Sequence, residues 1–385
     1  MLTYRLPYCK RCVMPSTLPG TTLDVDGVCS ACRSYEARAE ISWDARKTKL
    51  DAILARYRNA SGSNYDCIVP VSGGKDSTYQ VLRALEFGMT PLCVTASTDM
   101  LTDVGRKNIE NLKNLGVDYV EVSTNPRVRR IINRHALLTR GDNILAEHAT
   151  IFTIPVRMAV ALRVPLILWG ENSQDEQGGN PEMAGGIMSP TYLKEAIRGF
   201  DPMEMYKIDG IKPLDLIQYT YPSAEELSAV GVTGVFLGHY LPWDGRTNAL
   251  LAQAYGFTTS PAVVEGSCVN YENLDNGYTG IHDYMMFLKY GFGRASLIAS
   301  LHVRRGLYSR ECALDIVRRS EGRFPWTYMG VPLEAVLKDL DVTLDEFREV
   351  CDRFTNWNIF KTDAEGNLVR DRNGDVIKAN YDNPE

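Results

Sequence analysis

The segment that decides the fold of this chain is Cys67-Ile-Val-Pro-Val-Ser-Gly-Gly-Lys-Asp-Ser-Thr78. The apolar residues 67–71 predict a short buried strand, and the residues from Asp76 to Leu85 predict a helix. Between them, Ser72-Gly73-Gly74 predicts a tight turn. The first N–H groups of a helix lack intrahelical partners and carry the positive end of the helix dipole. A strand, a glycine turn and a helix start therefore predict an anion site here.

The residue types in this turn suit a phosphate. Glycines let the backbone approach closely, and we expect both glycines to adopt positive φ. The lysine adds a positive charge and the serines add hydroxyl donors. The predicted nucleotide-binding residues are Ser72, Gly73, Gly74, Lys75, Asp76 and Ser77, with Ala96 and Ser97 from the end of the next strand. The spacing differs from that of a Walker A loop, and Ser-Gly-Gly-Lys-Asp-Ser instead resembles the PP-loop of the ATP pyrophosphatase superfamily.

Length, charge and composition limit the classes of protein. A chain of 385 residues with 44% hydrophobic and 23% charged residues is typical of a globular protein of two or three domains. Its net charge of −6 argues against a large nucleic-acid interface. No apolar run is long enough to span a bilayer, and the first residues show no signal-peptide pattern, so we expect a cytoplasmic protein without membrane insertion.

Two cysteine pairs near the N-terminus predict a metal site. Cys9-Lys-Arg-Cys12 and Cys29-Ser-Ala-Cys32 are separated by a segment rich in turn residues. Two Cys-x-x-Cys pairs at this spacing are typical of a four-thiolate tetrahedral site, which leaves no open coordination position. We predict a structural zinc ion bound by Cys9, Cys12, Cys29 and Cys32, with an iron–sulfur cluster as the alternative.

Short apolar strands alternate with helical stretches through the middle of the chain. Strands are predicted at 91–97, 118–123, 164–169 and 232–238, and a long helical stretch at 127–162 with a break near Gly141. This alternation predicts an α/β fold with a parallel sheet. We predict a cysteine module with a linking helix over 1–60, a nucleotide-binding domain over 61–250, and a mainly helical region over 251–385 that completes the substrate site.

Polar residues follow two of the later predicted strands. Ligands in parallel sheets bind at the carboxyl ends of strands, which makes Glu171 a catalytic candidate and Asn172 a substrate-binding candidate. Glu171, Asp175 and Glu176 could hold Mg²⁺ or orient a substrate amide. His239 follows another strand end and is a further substrate-binding candidate.

The C-terminal third carries a second group of candidates. His282 and Asp283 are predicted to precede a helical apolar run over 284–290, and Gly291-Phe-Gly-Arg294 predicts a flexible cationic turn. His282 is a candidate catalytic residue. Asp283, Lys289 and Arg294 are candidate substrate-binding residues, because a site for an anionic nucleotide needs cations and hydrogen-bond donors.

Together these motifs resemble the N-acetyl sugar amidotransferases of the WbpG and PseA type, a branch of the PP-loop superfamily. The motifs that carry the resemblance are Cys9-Lys-Arg-Cys-Val-Met-Pro15 with the later cysteine pair, Ser72 to Ser77, Gly170-Glu-Asn-Ser with Gly178-Gly179, and His282-Asp-Tyr-Met with Lys289-Tyr-Gly-Phe-Gly-Arg-Ala. The resemblance covers most of the chain. It implies a HUP-type parallel sheet and an enzyme that converts an acetamido group on a nucleotide-activated sugar into an acetamidino group, for O-antigen (lipopolysaccharide) or nonulosonic-acid biosynthesis.

The implied chemistry assigns roles to the candidates. The amide oxygen would attack the α-phosphate of ATP, and ammonia would then displace AMP from the adenylated imidate. Lys75, Asp76, Glu171 and His282 are the predicted catalytic residues, and ATP and Mg²⁺ the predicted cofactors. Residue 2 is leucine, and no Gly-x-Cys-x-Gly elbow is present. We therefore expect ammonia to come from a separate glutaminase subunit, with or without a cyclase-like subunit.

Three alternatives remain open at this stage. PP-loop tRNA thiolases also adenylate an oxygen, and Cys268 is the one plausible loop thiol for such chemistry. A zinc-containing scaffold could bind a nucleotide without turning it over. An asparagine-synthetase-like enzyme would aminate a carboxylate in place of an amide.

Overall fold

The structure of this chain is a computed structural model that describes residues 6–59, 64–172, 185–188 and 202–379. At its centre lies a five-stranded sheet with the order β3-β2-β1-β4-β5, and every pair of neighbouring strands is parallel. The strands are β1 (Cys67–Pro70), β2 (Pro91–Ala96), β3 (Asp118–Val122), β4 (Leu166–Trp169) and β5 (Thr233–Phe236). The α/β fold with a parallel sheet is therefore confirmed.

Helices surround this sheet and form most of the C-terminal third. From the N-terminus to the fifth strand they are α1 (Ser30–Ala37), α2 (Trp43–Leu54), α3 (Lys75–Glu86), α4 (Asp103–Lys113), α5 (Pro126–Arg140), α6 (Leu145–Ala161) and α7 (Ala224–Val230). After it come α8 (Leu237–Tyr240), α9 (Gly245–Ala254), α10 (Thr279–Tyr290), α11 (Arg294–Arg304), α12 (Arg310–Ser320), α13 (Leu333–Asp339) and α14 (Leu344–Phe354). A short antiparallel pair, β6 (Thr327–Tyr328) and β7 (Val331–Pro332), precedes α13.

Alternation along β1 explains why this strand is apolar throughout. Cys67 and Val69 point to a core cluster that includes residues of α2 and α3, whereas Ile68 points to a cluster that includes residues of α6. Successive side chains of a strand face opposite sides of the sheet, so a strand covered on both faces needs apolar residues at every position.

The strand order creates a topological switch point between β1 and β4. The chain moves from β1 through α3 to β2 on one side of the sheet, and it returns to β4 on the other side of β1. Crevices at such points lie outside the carboxyl ends of the strands and are the usual ligand sites of open parallel sheets. The glycine turn after β1 and the segment Gly170-Glu171 after β4 both lie there.

The N-terminal module and the C-terminal region share hydrophobic cores. Leu6 and Tyr8 pack in one cluster with residues of α10, α13 and α14, and the four cysteines pack with Met286 and Phe292. Arg310 of α12 donates hydrogen bonds to the carbonyl oxygens of two of the cysteines, Cys9 and Cys12. The two ends of the chain therefore stabilise each other.

Most of the predicted elements are present, and two boundaries in the C-terminal third differ. The break in the long helical stretch lies at Gly141, which caps α5 in the left-handed conformation. His282 and Asp283 lie inside α10, which begins at Thr279, and not before it. Arg294 is the first residue of α11, so the predicted flexible turn ends there. In the described part of the chain, no helix is both long and apolar enough to cross a membrane.

Candidate active site

The turn between β1 and α3 has the geometry of an anion cradle. Gly73 has φ +83°, and a Cβ at this position would lie 2.9 Å from the backbone nitrogen of Ile109, so only glycine fits. Gly74 precedes α3 with φ −71° and no side-chain cap. The expectation of positive φ is thus correct for Gly73 and wrong for Gly74, which is extended. Among the described residues, α3 has no side-chain cap at its N-terminus, and its first N–H groups follow directly after the carboxyl end of β1.

Lys75 is buried at the base of this turn. Its Nζ lies 2.5 Å from Asp76 Oδ2 and 2.7 Å from Glu272 Oε1. Burial by itself would lower the pKa of Lys75, but the two carboxylates outweigh burial and raise the pKa above its ordinary value. Lys75 is therefore a permanent positive charge that two carboxylates hold beside the loop.

The remaining turn residues are oriented by local hydrogen bonds. Ser77 Oγ and Thr78 Oγ1 each donate to the Gly74 carbonyl oxygen at 3.0 Å. Asp76 accepts a 2.8 Å hydrogen bond from Asn248 Nδ2 of α9. The Gly74 N–H points to Ser72 Oγ at 3.4 Å. These contacts fix the loop before any ligand arrives.

The crevice is a cavity of about 410 Å³ above the switch point. The glycine turn forms one wall, Gly170 and Glu171 form another, and the segment 271–276 closes the C-terminal side. Phe152 and Pro155 of α6 and Phe257 supply apolar surface. A pocket that combines apolar walls with a few convergent polar groups is the common form of a small-molecule site.

The structure brings several predicted residues to the crevice and leaves others outside. Residues 72–77, Ala96 and Glu171 all line it. Ser97 does not line it, and its Oγ lies 2.5 Å from Ser123 Oγ beside the neighbouring strand end. Asn172 is buried and donates to the Gly185 carbonyl oxygen. Asp175, Glu176 and the Gly178-Gly179 pair lie outside the described residues.

His239 belongs to the short helix α8 and does not line the crevice. Its carbonyl oxygen accepts a hydrogen bond from Arg46 of α2, and its ring packs edge-on against Tyr240. His239 therefore lies beside α2, and its substrate-binding role stays a prediction.

Two of the C-terminal candidates hold helices together outside the crevice. His282 Nδ1 lies 3.6 Å from Asp142 Oδ1 in the turn between α5 and α6, and its ring packs against His148. Burial would raise the pKa of Asp142, but the two histidines outweigh it and lower that pKa. Lys289 Nζ donates to the carbonyl oxygens of Arg140 and Gly141 at the end of α5, where a cation also suits the helix dipole.

Asp283 and Arg294 form an ion pair in a second cavity of about 440 Å³. Arg294 donates to both carboxylate oxygens, from Nε at 3.2 Å and from Nη2 at 2.8 Å. The aromatic residues Tyr284, Phe324 and Trp326 also line this cavity. Tyr328 lies between the two cavities, because it lines the second and donates to the carbonyl oxygen of Asn273, which lines the crevice. The predicted substrate pair is thus assembled next to the crevice.

Three crevice residues, and one residue that supports the loop from behind, are not among the sequence candidates. Glu272 and Tyr271 line the crevice and lie in a stretch dense in aromatic and polar residues, which was a usable signal. Glu147 lines the crevice from α6, and Asn248 of α9 donates to Asp76. Neither has a sequence signal, because their positions depend on which helices pack beside the loop. Tyr271 also contacts His302, whose Nε2 lies 3.3 Å from the Tyr271 hydroxyl.

The four predicted metal ligands form one compact group. The sulfur atoms of Cys9, Cys12, Cys29 and Cys32 all lie within 4.8 Å of one another, and the four side chains are buried. The Cys9–Cys32 and Cys12–Cys29 sulfur distances are 3.9 and 3.7 Å. A tetrahedral Zn²⁺ with bonds of about 2.3 Å needs sulfur atoms about 3.8 Å apart. The set fits zinc, whose chemistry there would be structural.

Cys268 is poorly suited to sulfur transfer. Burial raises the pKa of its thiol to about 12, and the thiolate is the reactive form of cysteine. Cys268 does not line the crevice. Cys67 and Cys93 are buried in strands β1 and β2, so the described residues offer no activated thiol beside the loop.

The fold and site define an α/β protein with a crevice at the switch point of its sheet, lined by a glycine turn and a buried lysine. Residues 265–372 match the family described as LPS biosynthesis protein WbpG-like, C-terminal domain. This confirms the resemblance to WbpG-type sugar amidotransferases, and the family implies a part in LPS biosynthesis. No curated protein matched the chain in sequence comparison.

Proposed function

We propose that this chain is an ATP-dependent amidotransferase that acts on a nucleotide-activated N-acetyl sugar. It adenylates the acetamido oxygen, releases pyrophosphate, and replaces the adenylated oxygen with ammonia to give an acetamidino sugar. The observation that carries the proposal is the buried Lys75 at a glycine turn on the switch point, held by Asp76 and Glu272. The WbpG-like match at residues 265–372 supports the sugar class of substrate.

The crevice residues supply what adenylation requires. The free N–H groups at the start of α3 and the Lys75 charge would stabilise the negative charge that grows on the departing pyrophosphate. Ser72 and Ser77 would donate to phosphate oxygens. The apolar surface of Phe152, Pro155 and Phe257 would exclude water from the adenylated imidate.

Carboxylates beside the loop could hold Mg²⁺, which binds one or two carboxylates together with phosphate oxygens. Glu171, Asp76 and Glu272 line the crevice and fit that donor set. When bound, Mg²⁺ would neutralise phosphate charge. The ammonia source proposed is a separate glutaminase subunit, and the purified chain should then show no activity with glutamine alone.

The proposed division of the chain follows the same logic. The cysteine module at 1–60 stabilises the C-terminal region, the segment 61–250 carries the nucleotide loop, and 251–385 adds Glu272 and the Asp283–Arg294 pair beside it. The proposed reaction involves no nucleic acid.

The test is pyrophosphate release from Mg·ATP by the purified chain with ammonium salt, with nucleotide-linked N-acetyl sugars and bulk tRNA compared as substrates. Sugar-dependent release of pyrophosphate and AMP, with a product in which NH replaces oxygen, is the expected result. Release that responds only to tRNA would overturn the proposal in favour of base modification.

A further inference from the structure

Glu147 is a buried carboxyl group in the crevice that no motif assigns. It lies in the first turn of α6 with 7% of its surface exposed, and it lines the same cavity as the glycine turn. Its Oε2 accepts a 2.8 Å hydrogen bond from Asn133 Nδ2. Its Oε1 is buried and has no hydrogen-bond partner among the described residues.

Two further oxygen atoms, on adjacent residues after β2, are also buried without partners in the described part of the chain. They are Thr98 Oγ1, which belongs to a crevice-lining residue, and Asp99 Oδ2. The other Asp99 oxygen accepts a 2.7 Å hydrogen bond from Arg129. A buried acceptor without a donor destabilises the folded state, and each such group calls for an explanation. An N–H donor of a ligand in the crevice would satisfy Glu147 Oε1.

The charges around Glu147 come from several elements. Arg129 of α5 and Asp99 after β2 face it with opposite signs, and the hydroxyl groups of Tyr219 and Tyr278 lie in the same network. Burial is the largest influence and raises the pKa of Glu147 to about 7, whereas Arg129 opposes the rise. A carboxyl group with this pKa can accept a proton at neutral pH and suits general base catalysis.

We propose that Glu147 is the proton acceptor of the amination step, and that the part of the crevice beside Glu147 receives ammonia. This rests on the proposed amidotransferase function and goes beyond it, since it assigns the second half of the reaction to a separate part of the crevice. Glu147 is the catalytic residue of this step.

In the amination step, ammonia adds to the imidate carbon through its lone pair, which forms a C–N bond and leaves three protons on the added nitrogen. The amidinium product keeps two of these protons, and the third passes to the Glu147 carboxylate. The bond between carbon and the adenylated oxygen then breaks, and AMP leaves with that oxygen. Glu147 returns its proton to solvent before the next turnover.

The two half-reactions can be measured separately with Glu147→Gln, in which the amide oxygen can still accept from Asn133. Adenylation is followed by sugar-dependent exchange of labelled pyrophosphate into ATP, and amination by formation of the acetamidino sugar from ammonium salt. We expect exchange within about threefold of wild type and amination lowered by about 10²–10⁴-fold. Equal loss of both activities, or unchanged amination, would overturn the assignment.

A pH profile tests the proton directly. At constant concentration of free ammonia, wild-type amination should rise with pH through about 7, the pKa of Glu147, because the carboxylate is the active form. Glu147→Gln should lack this rise, whereas Glu147→Asp should keep a pH rise at reduced rate. A rise that persists unchanged in Glu147→Gln would assign the proton to another group.

Glu321 offers a matched control. It is a second buried carboxyl group, with burial raising its pKa, one oxygen bonded to the Ser296 N–H and the other without a partner among the described residues. It lines the second cavity and not the crevice. Glu321→Gln should leave the amination pH profile unchanged, and an equal loss in this variant would overturn a specific role for Glu147. If the wild-type protein showed no sugar-dependent exchange of labelled pyrophosphate into ATP, the proposed function itself would be overturned.

Discussion

Lys75 in the crevice and Lys378 in the C-terminal core are both buried, with 4% and 3% of their surfaces exposed, but their surroundings are opposite. Lys75 lies between the carboxylates of Asp76 and Glu272. Lys378 donates to the Gly291 carbonyl oxygen and lies over the rings of Tyr8 and Phe287. In the crevice, carboxylates surround the buried lysine, whereas in the C-terminal core aromatic rings surround it.

The difference shows how neighbours decide what a buried charge does. Burial lowers the pKa of Lys378 to about 8, with only partial compensation from Glu321, whereas carboxylates raise the pKa of Lys75. A raised lysine pKa adds stability at neutral pH, which is lost only when the pH rises through the folded-state value. Lys75 thus keeps its positive charge at neutral pH, whereas Lys378 loses its proton at a lower pH than an exposed lysine does.

The largest expected effect separates the two lysines by activity. Lys75→Met should lower sugar-dependent pyrophosphate release by about 10²–10³-fold. The substitution removes the preorganised positive charge that would stabilise the leaving pyrophosphate. Lys378→Met should stay within about threefold of wild type. Steady-state kinetics with circular dichroism as a folding check measures both. Similar losses of pyrophosphate release in the two variants would contradict a specific role of Lys75 in the reaction.

Metal removal tests whether the cysteine module supports only the C-terminal core. Cys12→Ser or strong chelation should destabilise the protein by several kcal/mol, because metal binding and folding are coupled and the module packs against Met286 and Phe292. Thermal unfolding with measurement of bound zinc is the assay. Cys312→Ser is the control, since this thiol is exposed and should be silent. An unchanged melting temperature after complete zinc loss would contradict the structural role.

The pH dependence of stability sharpens the contrast further. Between the folded-state pKa of Lys378, about 8, and the ordinary value of about 10.4, the unfolded chain binds a proton that the folded chain lacks. The free energy of unfolding of wild type, relative to Lys378→Met, should therefore rise by up to about 3 kcal/mol across this range. Denaturant titrations at several pH values measure it, and a flat difference would show that Lys378 keeps its proton.

The smallest expected effect compares two neighbouring glycines in the loop. Gly73→Ala should destabilise the protein by about 1–3 kcal/mol and weaken ATP binding, because φ is positive and the added Cβ meets the backbone of Ile109. Gly74→Ala should change stability by less than about 1 kcal/mol, since Gly74 is extended and its nearest contact is Ser72 Oγ at 3.4 Å. Chemical denaturation and nucleotide titration test the order, and a reversal would contradict the loop geometry.

Local chemistry explains which parts of the fold and site were predictable. A strand, a glycine turn and a helix start are signalled by residues adjacent in sequence, so the loop at 72–77 and its place at a strand end follow from the sequence. The cysteine ligands were equally readable, because two Cys-x-x-Cys pairs encode their own geometry. The sequence predicts a catalytic role for His282 and a substrate-binding role for Lys289, and both roles stay predictions. The contacts of these side chains with Asp142 and with the end of α5 could not be predicted from the sequence.

The sequence by itself determined the α/β alternation, the glycine turn before α3 and the four-cysteine set, since each depends on residues close together in the chain. Only the tertiary structure decided that Glu272 joins Lys75 and that Asp283 pairs with Arg294 beside a second cavity. It also decided that Glu147 lies in the crevice with an oxygen that has no partner among the described residues. The physical reason is that neighbours distant in sequence determine the burial and the electrostatic environment of a side chain. The pKa of a carboxyl group, and so the chemistry it can do, depends on which neighbours the fold places around it.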